Sequence, residues 1–103
     1  MPTPSLNKSQ LKFLRSLAHA LKPVVRLGQH GFTQAVADEL ESALDHHELV
    51  KIKLAADSRD ARNDQLEAIS KAAHAVVIQQ IGHTATLYRQ HAKKPVIDLK
   101  AYR

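Results

Sequence analysis

Two glycines three residues apart, Gly28 and Gly31, stand in the run Leu27-Gly28-Gln29-His30-Gly31-Phe32-Thr33, and a third, Gly82, precedes His83. These are the only glycines in 103 residues. Glycine admits positive φ and lets another molecule come close to the backbone, at an entropic cost elsewhere in the chain. The first pair lies between a β-type run, Val24-Val25-Arg26-Leu27, and a helix start at Thr33. A loop that leaves a strand and enters a helix gathers unpaired N–H groups at the positive end of the helix dipole, a setting that suits a phosphate. No Gly-Lys-Ser/Thr follows, which excludes a Walker-type loop. The third glycine and the acidic residue of a dinucleotide fingerprint are missing too.

Positive charge lies close by. Lys22 and Arg26 precede the loop, and alternation places Arg26 on the face opposite Val25 and Leu27. If the sheet follows the same alternation, Lys51 and Lys53 share that face, and Tyr88 joins them. A basic strip with one aromatic suits single-stranded RNA. The competing reading is that an amphipathic helix buries its leucines there, with Lys51 and Lys53 beneath it. His30 and His83 sit at turn tips, where an imidazole can hydrogen-bond or stack on RNA, or simply be a polar turn residue. Arg89, after the last β-type run, is a further candidate charge.

Other chemistry finds little support. Seven histidines give no HExxH pair and no cluster with carboxylates at ligand spacing, so no metal is expected. His46 and His47 are expected to interact with carbonyls at a helix end. There is no cysteine to serve as thiolate ligand, nucleophile or disulfide partner. Ser, His and Asp occur without a nucleophile-elbow pattern, so neither catalysis nor a cofactor is expected. No apolar run approaches the ~20 residues of a membrane span, and Met1-Pro2-Thr3-Pro4-Ser5 does not open a signal peptide. A cytoplasmic protein without a membrane partner is the expectation, with a monomer favoured.

Charge is segregated along the chain. Residues 1–37 hold five basic residues and no acid, residues 38–70 nine acids against four bases, and residues 71–103 six bases against one acid. The net charge of +5 thus conceals basic and acidic regions that can orient a polyanion.

The elements that must position these residues follow from periodicity. Leu6 to Leu21 reads as an amphipathic helix, with Asn7 and Gln10 as a capping pair and Pro23 as its stop. Val24–Leu27 is a short strand. Thr33 caps a helix to about His47 with Val36, Leu40, Ala43 and Leu44 inward. Leu49–Ala55 alternates as a strand. A third helix ends near His74 with Leu66, Ile69, Ala72 and Ala73 inward. Val76–Ile81 and Thr84–Arg89 flank Gly82-His83 as a hairpin. The prediction is an α/β fold: helix, strand, helix, strand, helix, strand, strand, with three helices packed on a small mixed four-stranded sheet. Residues 1–5 are expected to be a flexible N-terminus, 6–89 the domain, and 90–103 a basic tail that includes an extended piece at Val96–Leu99.

Leu11-Lys12-Phe13-Leu14-Arg15-Ser16-Leu17-Ala18-His19, Lys22-Pro23-Val24-Val25, the glycine loop, and Ile81-Gly82-His83-Thr84 through Leu87-Tyr88-Arg89 together resemble the CRM domain (chloroplast RNA splicing and ribosome maturation). The similarity is to its bacterial single-domain, YhbY-type members. The resemblance implies a fold like the C-terminal domain of translation initiation factor three. It also implies RNA binding through the GxxG loop and association with ribosomal RNA in large-subunit precursors. By position, Gly28, Gly31 and Thr33 match the loop motif. Family members often carry a lysine after the first loop glycine and after the hairpin glycine, where this chain has Gln29 and His83.

The expectation is a non-catalytic RNA-binding protein. Its contacts are Lys22, Arg26, Gly28, Gln29, His30, Gly31, Thr33, His83 and Arg89, with Lys51, Lys53 and Tyr88 as secondary candidates. The alternative is a protein-interaction module that docks on the ribosome or an assembly factor through the acidic helix Asp38–Asp45.

Overall fold

The computed structural model describes residues 6–91 and residue 97. Its elements run α1 (Lys8–Ala18), β1 (Val25–Arg26), α2 (Gln34–His47), β2 (Leu49–Lys53), α3 (Arg59–Ala73), β3 (Val76–Ile81) and β4 (Thr84–Tyr88). The predicted order and fold class hold. The predicted flexible N-terminus at 1–5 and the predicted tail, apart from residues 90, 91 and 97, lie outside the described residues, and so does the extended piece at Val96–Leu99 except Ile97.

Asn7 and Gln10 form the predicted capping box: Asn7 Oδ1 accepts from the Gln10 N–H at 2.8 Å, and Gln10 Oε1 accepts from the Asn7 N–H at 3.0 Å. The helix ends at Ala18, three residues short of the expectation. Ala20 and Leu21 turn back with i→i+3 bonds to Leu17 and Ala18, the tightening common where a helix runs out before a proline. β1 is correspondingly short, although the Val24 and Leu27 N–H groups still reach the Lys51 and Lys53 carbonyls.

The sheet order is β1-β2-β4-β3. β1 pairs parallel with β2, while β4 pairs antiparallel with both β2 and β3. The α3 crossover therefore delivers β3 to the far edge, and β4 fills the gap. One face carries Val25, Leu27, Val50, Ile52, Leu54, Ala85 and Leu87, which pack with Leu40 and Leu44 of α2 and Leu66, Ile69 and Ala73 of α3. The opposite face is partly covered by α1, whose Leu14 packs with Leu49, Ile78 and Tyr88. Ala72, predicted inward, is exposed, because it points a helical step away from the stripe of Leu66, Ile69 and Ala73. A register shift at Val77/Gln79 interrupts the ladder at Ile78. Arg15 Nε donates to the Ile78 carbonyl at 3.3 Å, tying α1 to that irregular point.

Glu48 was not singled out by the sequence. It is fully buried, adopts φ 59°, and ends α2 in a conformation more usual for glycine. Its carboxylate accepts the N–H groups of His91 and Ile97, each at 2.6 Å. Its carbonyl accepts from the Arg89 N–H. A buried charge is tolerated only when bonded in this way.

Candidate nucleic-acid interface

The registers bring three segments to one end of the sheet. The glycine loop follows β1, the Lys53–Leu54 end of β2 lies beside it, and the Gly82-His83 turn arrives from β3 and β4. α2 and α3 both start at this end, because each follows one of those strand ends. The Leu54 N–H donates to the His83 carbonyl at 2.6 Å and fixes the hairpin tip against β2.

The two loop glycines do different work. Residues 28–31 form a closed turn in which the Gly31 N–H donates to the Gly28 carbonyl at 3.0 Å. Gly31 has φ +72°, and a Cβ there would meet Gln65 Nε2 at 3.3 Å. Gln65 in turn accepts from the Ala55 N–H at 3.3 Å. Gly31 thus serves the turn and its seat on α3. A Cβ on Gly28 would meet nothing within 4 Å, and its φ lies outside the left-handed region. Gly28 is the open side of the loop, where another backbone can approach. Gln29 and His30 are exposed at the tip. Thr33 Oγ1 accepts from the Val36 N–H at 3.3 Å and caps α2, so its role in the structure is to start the helix. Gly82, at φ +57°, opens a two-residue hairpin loop with positive φ at its first position only, the type II′ pattern.

On the sheet face shared with α1, the helix stops short of this end. The register places Arg26 beside Lys53, and Lys53 beside Thr84. Arg26 and Lys53 are both exposed, and Lys51 is half-buried one step closer to α1. The two readings of the β2 lysines therefore divide between residues. Leu49 lies under the helix, Lys51 at its margin, and Lys53 beyond it.

Three predicted site residues are elsewhere. Tyr88 is completely buried, packed with Leu14 beneath α1, so it offers no ring to a ligand. Burial and the Glu48 carboxylate push its phenol up to about 12. Arg89 follows the opposite end of β4, and its guanidinium pairs with Glu41 and with Asp45 at 2.9 Å, and donates to the Ala73 carbonyl at 2.8 Å. Only 16% of that side chain is exposed, so the charge joins β4 to α2 and α3 instead of facing RNA. Lys22 precedes β1, at the end of the strand away from the loop. It lines an apolar recess of about 490 Å³ with Leu17, Leu21, Val24 and Ile97.

Arg59, Arg62, Asn63 and Gln80, which the sequence analysis did not single out, line a cleft beside the hairpin turn. Arg62 Nη1 donates to the Asp57 carbonyl at 2.7 Å and the Ala56 carbonyl at 3.3 Å, and lies 3.3 Å from His83 Nε2. The i, i+3, i+4 spacing of 59, 62 and 63, set off from Asp60, Asp64 and Glu67, was a legible signal. His46 Nδ1 reaches the Ser42 carbonyl at 2.7 Å, as its place in the last turn of a helix suggested. Among the described residues no three His, Asp or Glu side chains converge as a metal site, and no helix is long and apolar enough to cross a membrane.

Comparison with known proteins identifies the family and the fold. Residues 6–89 match the profile of the CRS1/YhbY (CRM) domain. The chain belongs to this CRM domain family. A Haemophilus influenzae relative named “RNA-binding protein” is 45% identical over 85 residues, which cover 82% of this chain and 86% of that protein. A Pseudomonas aeruginosa relative named “Probable RNA-binding protein” is 39% identical, covering 86% of each chain. The solution structure of a hypothetical protein from Staphylococcus aureus superposes with a TM-score of 0.79 at 26% identity, covering 91% of this chain and 98% of that one. The CRM fold read from the sequence is thus the observed one.

Proposed function

We propose that this CRM protein binds structured RNA without catalysing a reaction, holding it chiefly by its phosphates across the glycine-loop end of the sheet. The observation that carries the reading is the row Arg26–Lys53 beside the open flank of Gly28. Two like charges in register repel one another, and a phosphodiester between them removes that repulsion. The loop N–H groups and the start of α2 add fixed positive potential. Gln29 and His30 supply donors or stacking from the tip, and Lys51 extends the strip. The names of the relatives support RNA as the ligand class. As the family resemblance implies, the target is ribosomal RNA in cytoplasmic precursors of the large subunit. The rival docking face on α2 is weakened by its own contacts, since Arg89 pairs with Glu41 and Asp45 and Gln34 pairs with Asp38.

Fluorescence anisotropy with a labelled stem–loop RNA tests the proposal. With roughly four phosphate contacts, log K should fall against log salt with a slope of about −3. A flat salt response overturns phosphate-dominated binding.

A further inference from the structure

Between the first turn of α3 and the β3–β4 hairpin lies a cleft of about 250 Å³, lined by Arg59, Arg62, Asn63, Gln80 and Gly82. All five lining residues are glycine or carry hydrogen-bonding side chains, and two are permanently cationic. On α3, Arg59, Arg62 and Asn63 share one face by spacing, while Asp60, Asp64 and Glu67 turn to another. The cleft is therefore cationic although the helix as a whole is not.

Arg62 is held in place. Its Nη1 is fixed by the Ala56 and Asp57 carbonyls and by His83. His83 Nε2 stands 3.3 Å from the same nitrogen and closes the third side of the guanidinium. Among the described residues the buried Arg62 Nε has no acceptor. A guanidinium held in this way at the lining of the cleft is preorganised for an oxyanion. Arg59 is exposed at the cleft mouth. Asn63 and Gln80 each bring an amide with both donors and acceptors, the chemistry that reads a base edge.

We infer that this cleft is a second RNA subsite, taking one phosphate on Arg59 and Arg62 and the edge of the adjoining base on Asn63 and Gln80. It lies on the α3 side of the hairpin tip, whereas the Arg26–Lys53 row lies on the α1 face. An RNA strand that crosses the Gly82-His83 turn reaches both, and this subsite rests on the RNA-binding reading of the glycine-loop end.

The test compares Arg59→Gln and Asn63→Ala with Gly28→Ala, using the labelled stem–loop RNA. Arg59 and Asn63 are exposed and make none of the bonds that hold the hairpin, so circular dichroism should be unchanged. Arg59→Gln should weaken binding several-fold and reduce the salt slope by about 0.7–0.9, the equivalent of one phosphate. Asn63→Ala should weaken binding without changing the slope. If both variants bind as wild type while Gly28→Ala is weakened, the cleft is no subsite and the glycine-loop reading stands. If the wild-type protein shows no salt-dependent binding, the glycine-loop reading fails and the cleft proposal with it.

Discussion

Replacing each loop glycine by alanine should separate folding from binding. At Gly31, an L-residue in the left-handed region costs about 1–2 kcal/mol. The stiffer unfolded chain returns roughly 0.4–1 kcal/mol of this. The new Cβ also presses on Gln65 Nε2 at 3.3 Å. If Gln65 gives way, its bond to the Ala55 N–H is lost, at about 0.5–1.5 kcal/mol. The net loss is about 1–2 kcal/mol, a Tm decrease of roughly 5–10 °C for a domain of this size. At Gly28 neither strain nor contact opposes a Cβ, so Gly28→Ala should leave Tm unchanged or slightly higher. Its effect belongs to binding: a methyl group on the open flank holds a phosphate away from the loop. Loss of one charged hydrogen bond, about 1.5 kcal/mol, is a tenfold drop in affinity. Calorimetry and RNA anisotropy on the same two proteins supply the readings. A Gly28→Ala protein that binds as wild type would refute the backbone-approach argument. A Gly31→Ala protein with unchanged Tm would refute the conformational one.

Further expectations concern charges and the phenol. Arg26→Gln and Lys53→Gln should each lower the salt slope of RNA binding by about 0.7–0.9 and leave thermal stability intact or improved; unchanged slopes would remove that row from the interface. Arg89→Gln should destabilise by about 2–3 kcal/mol in denaturant titration, since it strands the Ala73 carbonyl and two carboxylates; RNA affinity of the folded fraction should be unaffected, and a selective loss of binding would return Arg89 to the interface. Tyr88 should ionise with a midpoint of about 12 by ultraviolet absorbance. The phenol is raised above its unfolded value near 10, so its contribution to stability is complete below about pH 10 and is lost as pH rises towards 12. Tyr88→Phe should abolish that alkaline loss and, by deleting a buried hydroxyl without an acceptor among the described residues, raise stability by about 1 kcal/mol. An alkaline transition that persists in Tyr88→Phe would contradict the assignment.

The element order was legible because each segment states its period clearly. Leu11, Leu14, Leu17 and Ala18 repeat at helical spacing, and Val50, Ile52 and Leu54 alternate. Pro23 and Gly82 punctuate without ambiguity. The glycine loop was legible as a strand-to-helix turn, but the separate tasks of Gly28 and Gly31 were not. Those depend on φ and on Gln65, thirty-four positions further along the chain. Tyr88 and Arg89 misled for a related reason. Alternation gives the side of a sheet but not what covers it, and α1 covers Tyr88 while α2 offers carboxylates to Arg89. Glu48 was invisible, since its acceptors and donors become meaningful only when α2, β4 and Ile97 meet. Arg59, Arg62 and Asn63 lay within a segment of net negative charge, so a block-wise count hid a cationic helix face.

If the Arg26–Lys53 pair holds a phosphate as proposed, the free protein and its complex respond in opposite ways to ionic strength. Neighbouring cations across a parallel ladder raise the energy of the empty fold, and dissolved anions relieve it. Added salt should therefore steady the unliganded domain while it loosens the grip on RNA. At low ionic strength the same repulsion would favour occupancy, so RNA would act on this protein as both ligand and folding partner. A melting temperature recorded without RNA in dilute buffer would underestimate how firmly the sheet is held once a phosphate lies between those two side chains.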